Sequence, residues 1–276
     1  MAFARTNGID TYYERRGEGP PVVFVHGAIL DHGQWDRQAE ALCDDYTTVS
    51  YDVRGHGRTG GSDLATYSME LFADDLAALV SELGLDRPVV CGLSTGGCVT
   101  QAYAMRYPEG LSGLVLADTF SPVVFDRLER FQRLVVPRLT IPLVRLVGYE
   151  RVEKVMVWFQ ERLSGTAAGG DYGNVERLRE RGPRMATDEF VKVIRAVSRF
   201  TDSSVVLGDI DVPTLVLYGE NELPFVRRHA AAFGDGIPSA TVREVPDAGH
   251  ASNLDNPAFF EDALREFLDG LRTVAR

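Results

Sequence analysis

Residues 88–98 read Pro88-Val-Val-Cys-Gly-Leu-Ser-Thr-Gly-Gly-Cys98. A short apolar run from Val89 to Leu93 leads into Gly92-Leu93-Ser94-Thr95-Gly96, a G-x-S-x-G sequence, and a helical run follows. A serine on such a strand-to-helix turn is held outward, where its hydroxyl can act as a nucleophile. The turn forces backbones together, so a Cβ at Gly92 or Gly96 would clash. Five-residue matches of this kind are common by chance, so the reading depends on what flanks this one.

Strands and helices alternate on both sides of it. Phe3 to Thr6 and Ile9 to Arg15 read as a hairpin across Asn7-Gly8, a two-residue turn signal. Val22 to Val25 is apolar without alternation, as in a strand covered on both faces. Trp35, Ala39 and Leu42 have helical spacing, and Thr48 to Val53 reads as the next strand. From Ser68 to Leu83 a helix is predicted. Ser68 is its N-cap, Leu71, Phe72, Leu76, Leu79, Val80 and Leu83 lie on one face, and Gly84 ends it. Val89 to Leu93 (strand), Thr95 to Tyr107 (helix) and Leu114 to Ala117 (strand) follow. The rhythm resumes with Pro213 to Tyr218 (strand), a helix near Val226 to Phe233, Ala240 to Val245 (strand) and a helix from Pro257 to Leu271. This order predicts an α/β fold, a mostly parallel eight-stranded sheet covered by helices.

Between Phe120 and Leu207 no strong strand is evident. Arginine-rich amphipathic helices are expected there, broken at Pro137, Pro142, Gly165 to Gly170 and Pro183. The expected division is a core of residues 1–119 and 208–276 with a helical lid of residues 120–207. Phe125, Leu128, Phe131, Val135, Trp158 and Phe159 form apolar faces expected to pack lid on core or to line an apolar pocket.

Composition narrows the partners. The chain has 276 residues, 45% hydrophobic and 25% charged, which suits one soluble domain with an insertion. Its net charge of −11 argues against nucleic acid and anionic membranes as partners. No apolar run reaches the ~18 residues of a membrane span. Met1 to Gly8 lacks the basic-then-apolar pattern of a secretory leader, so a cytoplasmic location is expected. Lys154 and Lys192 are the only lysines among 29 basic residues, as a GC-rich genome or a high-salt habitat would produce. Cys43, Cys91 and Cys98 are odd in number and lack C-x-x-C spacing, so neither a disulfide framework nor a zinc site is expected. No H-E-x-x-H, G-x-G-x-x-G or P-loop sequence occurs, so no metal, cofactor or nucleotide is expected.

A serine nucleophile needs a base, an acid to orient the base, and donors for the oxyanion. The histidines are His26, His32, His56, His229 and His250. His250 follows the last predicted strand and shares the carboxyl edge of the sheet with Ser94, where ligand sites of parallel sheets form. His229 sits in a helical run, Arg227-Arg-His-Ala, and is expected at the surface. His32 and His56 lie in loops, and position alone leaves them open.

Taken together, the motifs resemble the α/β-hydrolase superfamily, in its branch of small lidded serine hydrolases of carboxylesterase or enol-lactonase type. The motifs are Phe24-Val-His-Gly-Ala28, Asp52-Val-Arg-Gly-His-Gly57, the Ser94 turn, and Ala248-Gly-His250 with Asn256-Pro257. The resemblance spans nearly the whole chain and implies a cofactor-independent enzyme with Ser94 as nucleophile and His250 as base. It also implies an oxyanion hole from the backbone N–H groups of Ala28 and Thr95. His26 is expected to brace its loop. The family's acid usually stands three residues past a glycine as aspartate; here Tyr218-Gly-Glu-Asn-Glu222 places Glu222 there, with Asp118 and Glu220 as the other candidates. Asp52 and Arg54 are expected to brace a tight glycine loop, while Trp35 and Leu93 suit either a pocket wall or the core.

The activity implied is hydrolysis of a small-molecule carboxylic ester or lactone. C–C bond hydrolysis or perhydrolase and haloperoxidase-like chemistry would use the same residues. A serine at position 94 disfavours the dehalogenase and epoxide hydrolase chemistry that an aspartate there would imply. A non-catalytic ligand-binding sensor is the alternative from another class.

Overall fold

The structure is a computed structural model that describes residues 2–152, 154–155 and 172–274. Its eight strands are β1 (Ala2–Thr6), β2 (Ile9–Arg16), β3 (Pro21–Val25), β4 (Thr47–Tyr51), β5 (Val89–Leu93), β6 (Gly113–Ala117), β7 (Thr214–Gly219) and β8 (Ala240–Val245). They form one sheet in the order β1-β2-β4-β3-β5-β6-β7-β8. β1, β2 and β4 pair antiparallel, and the remaining pairs are parallel. The opening hairpin turns through Asn7 and Gly8 with φ of 41° and 84°, the left-handed pair that matches the twist of its strands.

Helices among the described residues include α1 (Asp36–Leu42), α2 (Met69–Glu82), α3 (Thr95–Arg106), α4 (Arg127–Arg130), α5 (Val136–Val147), α6 (Tyr172–Arg179), α7 (Thr187–Arg199), α8 (Pro224–Gly236), α9 (Ser252–Asp255) and α10 (Pro257–Val274). The Ser68 hydroxyl caps α2 by accepting the Leu71 N–H at 3.1 Å, a contact worth about 1 kcal/mol in helices generally.

Alternation along β3 explains why helices cover both faces. Val23 and Val25 join a core with Phe72 and Leu76 of α2, Val99 of α3 and Phe233 of α8. Val22 and Phe24 face the other way, into a core with Leu42 of α1 and Phe260 and Leu264 of α10. Trp35 is fully buried in this second core, stacked on Phe24 at 5.0 Å, and Leu93 lies there too, so both are core residues.

β3 is hydrogen-bonded to β4 on one side and β5 on the other. The winding direction reverses at β3, so the loops after β3 and β5 diverge and leave a crevice at the carboxyl edge. β6, β7 and β8 end on the same edge.

The region between β6 and β7 is helical wherever it has regular structure among the described residues. Two expected breaks are absent. Pro137 opens the first turn of α5, where its missing N–H is tolerated, and a π-helical turn (Phe131–Val135) precedes it. Pro142 lies inside α5 with its ring exposed, and the Thr140 hydroxyl donates to the carbonyls of Val136 and Pro137. Pro183 does fall between helices α6 and α7. Leu128 and Phe131 are exposed rather than packed on the core, Phe125 is part-exposed with its ring against His229 of α8, and Val135 is half-buried. The packing of this region comes instead from Ile141, Val144, Tyr149, Val152 and Val191, which meet Ile29 of the loop after β3. Trp158, Phe159 and Gly165 to Gly170 lie outside the described residues.

Candidate functional site

Ser94 sits between β5 and α3 with φ 55° and ψ −117°, a conformation an L-residue adopts only when its surroundings hold it there. They do. The Ser94 N–H donates to the Ala117 carbonyl at 2.9 Å, and the Thr119 hydroxyl donates to the Ser94 carbonyl at 2.7 Å. A Cβ on Gly92 would lie 2.4 Å from the Gly96 carbonyl oxygen, and one on Gly96 would lie 2.1 Å from that of Val25. Glycine is therefore required at both positions.

The Ser94 hydroxyl lies 2.9 Å from His250 Nε2. On the far side of the ring, His250 Nδ1–H donates to Glu222 Oε2 at 2.7 Å. Carboxylate acceptance at Nδ1 leaves Nε2 with a lone pair for the serine proton. Glu222 is buried, and its Oε1 accepts the Leu223 N–H at 2.6 Å, which fixes the carboxylate. The His250 side chain is 37% exposed. Desolvation pulls its pKa down, but the Glu222 charge and hydrogen bond, with Asp118 and Asp255 nearby, outweigh this and raise it to about 9.

Of the three candidate carboxylates, only Glu222 reaches the imidazole. Glu220 accepts the Asp247 N–H at 3.0 Å. Asp118 is buried one strand away. Its Oδ1 accepts the Gly219 N–H at 3.0 Å, and its Oδ2 accepts the Ser252 N–H at 3.0 Å and the Ser252 hydroxyl at 2.6 Å. Burial and the neighbouring Glu222 charge hold its pKa well above the usual carboxylate range. Three consecutive residues at the end of β6 thus grip three loops. Ala117 and Thr119 hold the Ser94 turn, while Asp118 joins the turn bearing Glu222 to the loop bearing His250. The role is legible only from contacts far apart in sequence.

The loop after β3 lies against the serine, since a Cβ on Gly27 would sit 3.6 Å from Ser94 Cβ. The Gly27 N–H donates to Gln34 Oε1 at 2.8 Å. Neither the Ala28 nor the Thr95 N–H has a hydrogen-bond partner among the described residues. Thr95 opens α3, so its amide is one of the unpaired donors at the positive end of a helix. Ile29, a β-branched residue at φ 63°, is a second strained position beside Ala28. A cleft lies between this loop, at Ile29 and Leu30, and Tyr149, Leu178 and Met185 of the segment between β6 and β7.

The other histidines are structural. His26 is buried, donates from Nδ1 to the Gly27 carbonyl at 2.8 Å and accepts the Val53 N–H at Nε2, so it braces its loop as expected. His56 is buried with its pKa lowered to about 3, chiefly by desolvation, and stays neutral. His32 pairs with buried Asp52 at 2.7 Å. Asp52 also accepts the Arg58 N–H, and Arg54 forms a buried ion pair of 2.6 Å with Asp75 of α2. Both residues therefore brace, Arg54 by reaching α2 rather than its own loop. Asp31, His32 and Asp52 have ligand atoms within 4.8 Å of one another, but each is already in a hydrogen bond of the fold.

His229 is not at the surface. It is fully buried on the inner side of α8, where Nε2–H donates to Glu129 Oε1 at 2.8 Å and Nδ1 accepts from Ser121. Arg133 completes the cluster by donating to Glu129 and to the carbonyls of Ser121 and Val123. This buried polar group ties α4 and the π-helical turn to α8. The i,i+4 pair Glu129 and Arg133 was visible in sequence, but not that it faces inward. Cys91 and Cys98 are free and buried, and burial pushes both thiols up, away from the reactive thiolate.

No helix among the described residues is long and apolar enough to cross a membrane. The model of the alpha/beta hydrolase fold family matches residues 20–257. A Rhizobium rhizogenes protein named "Putative carbamate hydrolase RutD" is 30% identical over 92% of this chain and 94% of its own length. The structure of a thermophilic esterase from Thermogutta terrifontis is 29% identical with a TM-score of 0.79, covering 98% of this chain and 97% of the esterase. The enol-lactonase of Burkholderia xenovorans shares the fold, with a TM-score of 0.80 at 22% identity over 97% of this chain and 99% of the lactonase. With its reversed winding at β3 and the serine turn after β5, the chain is a hydrolase that belongs to the alpha/beta hydrolase fold family.

Proposed function

We propose that the protein is a cofactor-independent serine hydrolase that cleaves a carboxylic ester or lactone through an acyl-enzyme on Ser94. The observation that carries this reading is the unbroken chain from Ser94 Oγ through His250 to Glu222, at 2.9 and 2.7 Å. Ser94 Oγ attacks the substrate carbonyl as His250 Nε2 takes its proton. Glu222 stabilises the imidazolium. The Ala28 and Thr95 amides, unpartnered among the described residues, receive the oxyanion; preorganised donors of this kind contribute about 3–4 kcal/mol each in serine hydrolases. Collapse expels the alkoxide, which takes the proton from His250. Water then adds to the acyl-enzyme with His250 again as base, and the acid leaves.

Residues 120–207 act as a lid over this crevice in the same reading. Its support is the packing of Ile29, next to the proposed oxyanion amide, on Ile141, Val144 and Val191 of the insertion. The esterase at 29% identity supports an ester as substrate. The 30% identical relative favours a carbamate as a second class, reached by the same attack on a carbonyl. Ser94→Ala tests the reading: it abolishes hydrolysis of short p-nitrophenyl esters while circular dichroism and melting stay as in the wild type. Retained wild-type turnover contradicts it.

A further inference from the structure

The inserted helices carry a solvent-facing apolar row that the site above does not use. Leu128, Phe131, Leu139, Leu143 and Leu146 are 66, 48, 66, 49 and 80% exposed. Their spacing follows the helical repeat, so they line one side of α4, the π-turn and α5. The opposite side, with Glu129, Arg133, Ile141 and Val144, is buried. An arginine directly precedes four of the five: Arg127-Leu128, Arg130-Phe131, Arg138-Leu139 and Arg145-Leu146. Successive helical residues are about 100° apart, so these arginines run along one edge of the apolar row. All four are exposed, and none has an ion-pair partner among the described residues. Glu129 is the one carboxylate between positions 127 and 147, and it is buried against His229 and Arg133. The exposed charge of this face is therefore wholly positive on a chain of net charge −11.

We propose that this face of α4 and α5 docks on an anionic lipid surface, with the leucine row entering the acyl boundary and the arginines meeting lipid phosphates. A helix with an apolar row and a basic edge lies in the plane of such an interface. Guanidinium groups fit phosphate oxygens in pairs. The overall negative charge, which argued against membranes at the level of composition, is screened beyond about 8 Å at physiological salt, whereas arginines at contact are not. A second copy of the chain fits less well, because the same face of its copy offers the arginines no exposed carboxylate to meet.

The proposal goes beyond the hydrolytic reading, and its test needs no turnover. The full chain is sedimented with vesicles of equal parts phosphatidylglycerol and phosphatidylcholine, and with phosphatidylcholine alone, at physiological salt. At least about tenfold more wild type pellets with the anionic vesicles, and Ser94→Ala behaves the same. The doubly substituted Leu139→Glu, Leu146→Glu chain stays in the supernatant. Arg138→Gln with Arg145→Gln loses the preference for anionic vesicles. Melting curves establish that each variant is folded. Wild type left in the supernatant overturns the proposal, as do both variants pelleting like wild type. A wild-type dimer that the leucine variant dissociates, without vesicle binding, also overturns it and assigns the face to a second copy.

Discussion

Glu222 Oε2 accepts the His250 Nδ1–H at 2.7 Å, and the other carboxylate oxygen is held by the Leu223 amide at 2.6 Å. Both oxygens are thus occupied, and the imidazole has one favourable orientation. Glu222→Gln keeps the shape but offers the ring the wrong tautomer. It lowers kcat by about 10³–10⁴-fold with little change in KM, following the loss seen when a triad carboxylate becomes an amide. Asp118→Asn, measured beside it, costs far less. An equal loss in the two variants contradicts Glu222 as the acid.

The raised pKa of His250 sets the pH dependence of the proposed reaction. The base must be neutral, and the Glu222 charge favours its protonated form, so kcat/KM rises with pH through a limb near pH 9. Asp118→Asn removes one of the negative charges near the ring and moves this limb to lower pH. A profile that levels off near pH 6.5, with no shift in the variant, contradicts the account.

Stability follows the same protons. His250 is raised from 6.5 to about 9 on folding, so its contribution is fully present below pH 6.5 and lost as pH rises through 9. Asp118 is raised above its ordinary 3.8, so its contribution is also lost as pH rises through its folded value. The melting temperature therefore falls from pH 7 toward pH 9, and falls less in Asp118→Asn. Scanning calorimetry across that range checks the slope.

How much of this was legible in sequence depended on the range of the interaction. The Asn7-Gly8 hairpin, the Ser68 cap and the β5–Ser94–α3 turn are written in adjacent residues, so their bounds were readable to within a residue or two. Position 222 could be read by its spacing from Gly219, yet choosing among Glu222, Asp118 and Glu220 required three strand ends to be brought together. The expectation for His229 failed because helical spacing does not say which face meets a buried partner from another segment. Pro137 failed as a break for a local reason, since a first-turn position has no intrahelical N–H bond to lose, whereas Pro142 lies inside α5 and gives up the bond to the Arg138 carbonyl without ending the helix.

Arg54 separates bracing from chemistry. Its ion pair with Asp75 is buried on both sides. Arg54→Ala leaves that carboxylate buried without its partner and destabilises the fold by about 3–5 kcal/mol, read by urea denaturation. Activity per folded molecule stays near wild type at low temperature. A stable but inactive variant would instead place Arg54 in the chemistry.

Gly96→Ala probes the tight turn beneath the serine. The added Cβ would lie 2.1 Å from the Val25 carbonyl oxygen, which is backbone and cannot step aside. The variant loses at least about 1–3 kcal/mol of stability, as overpacked cores do. Ester hydrolysis falls with it, because β3 and the Ala28 loop must shift. An unchanged melting temperature contradicts the geometry.

In the proposed reaction Ser94 is activated by His250, 2.9 Å away. The most direct measurement is labelling of the intact protein with a fluorophosphonate, followed by peptide mass spectrometry. One stoichiometric adduct is expected on the peptide containing Ser94, absent in Ser94→Ala and slowed by orders of magnitude in Glu222→Gln. A folded wild type that takes no label, or takes it at another residue, contradicts it.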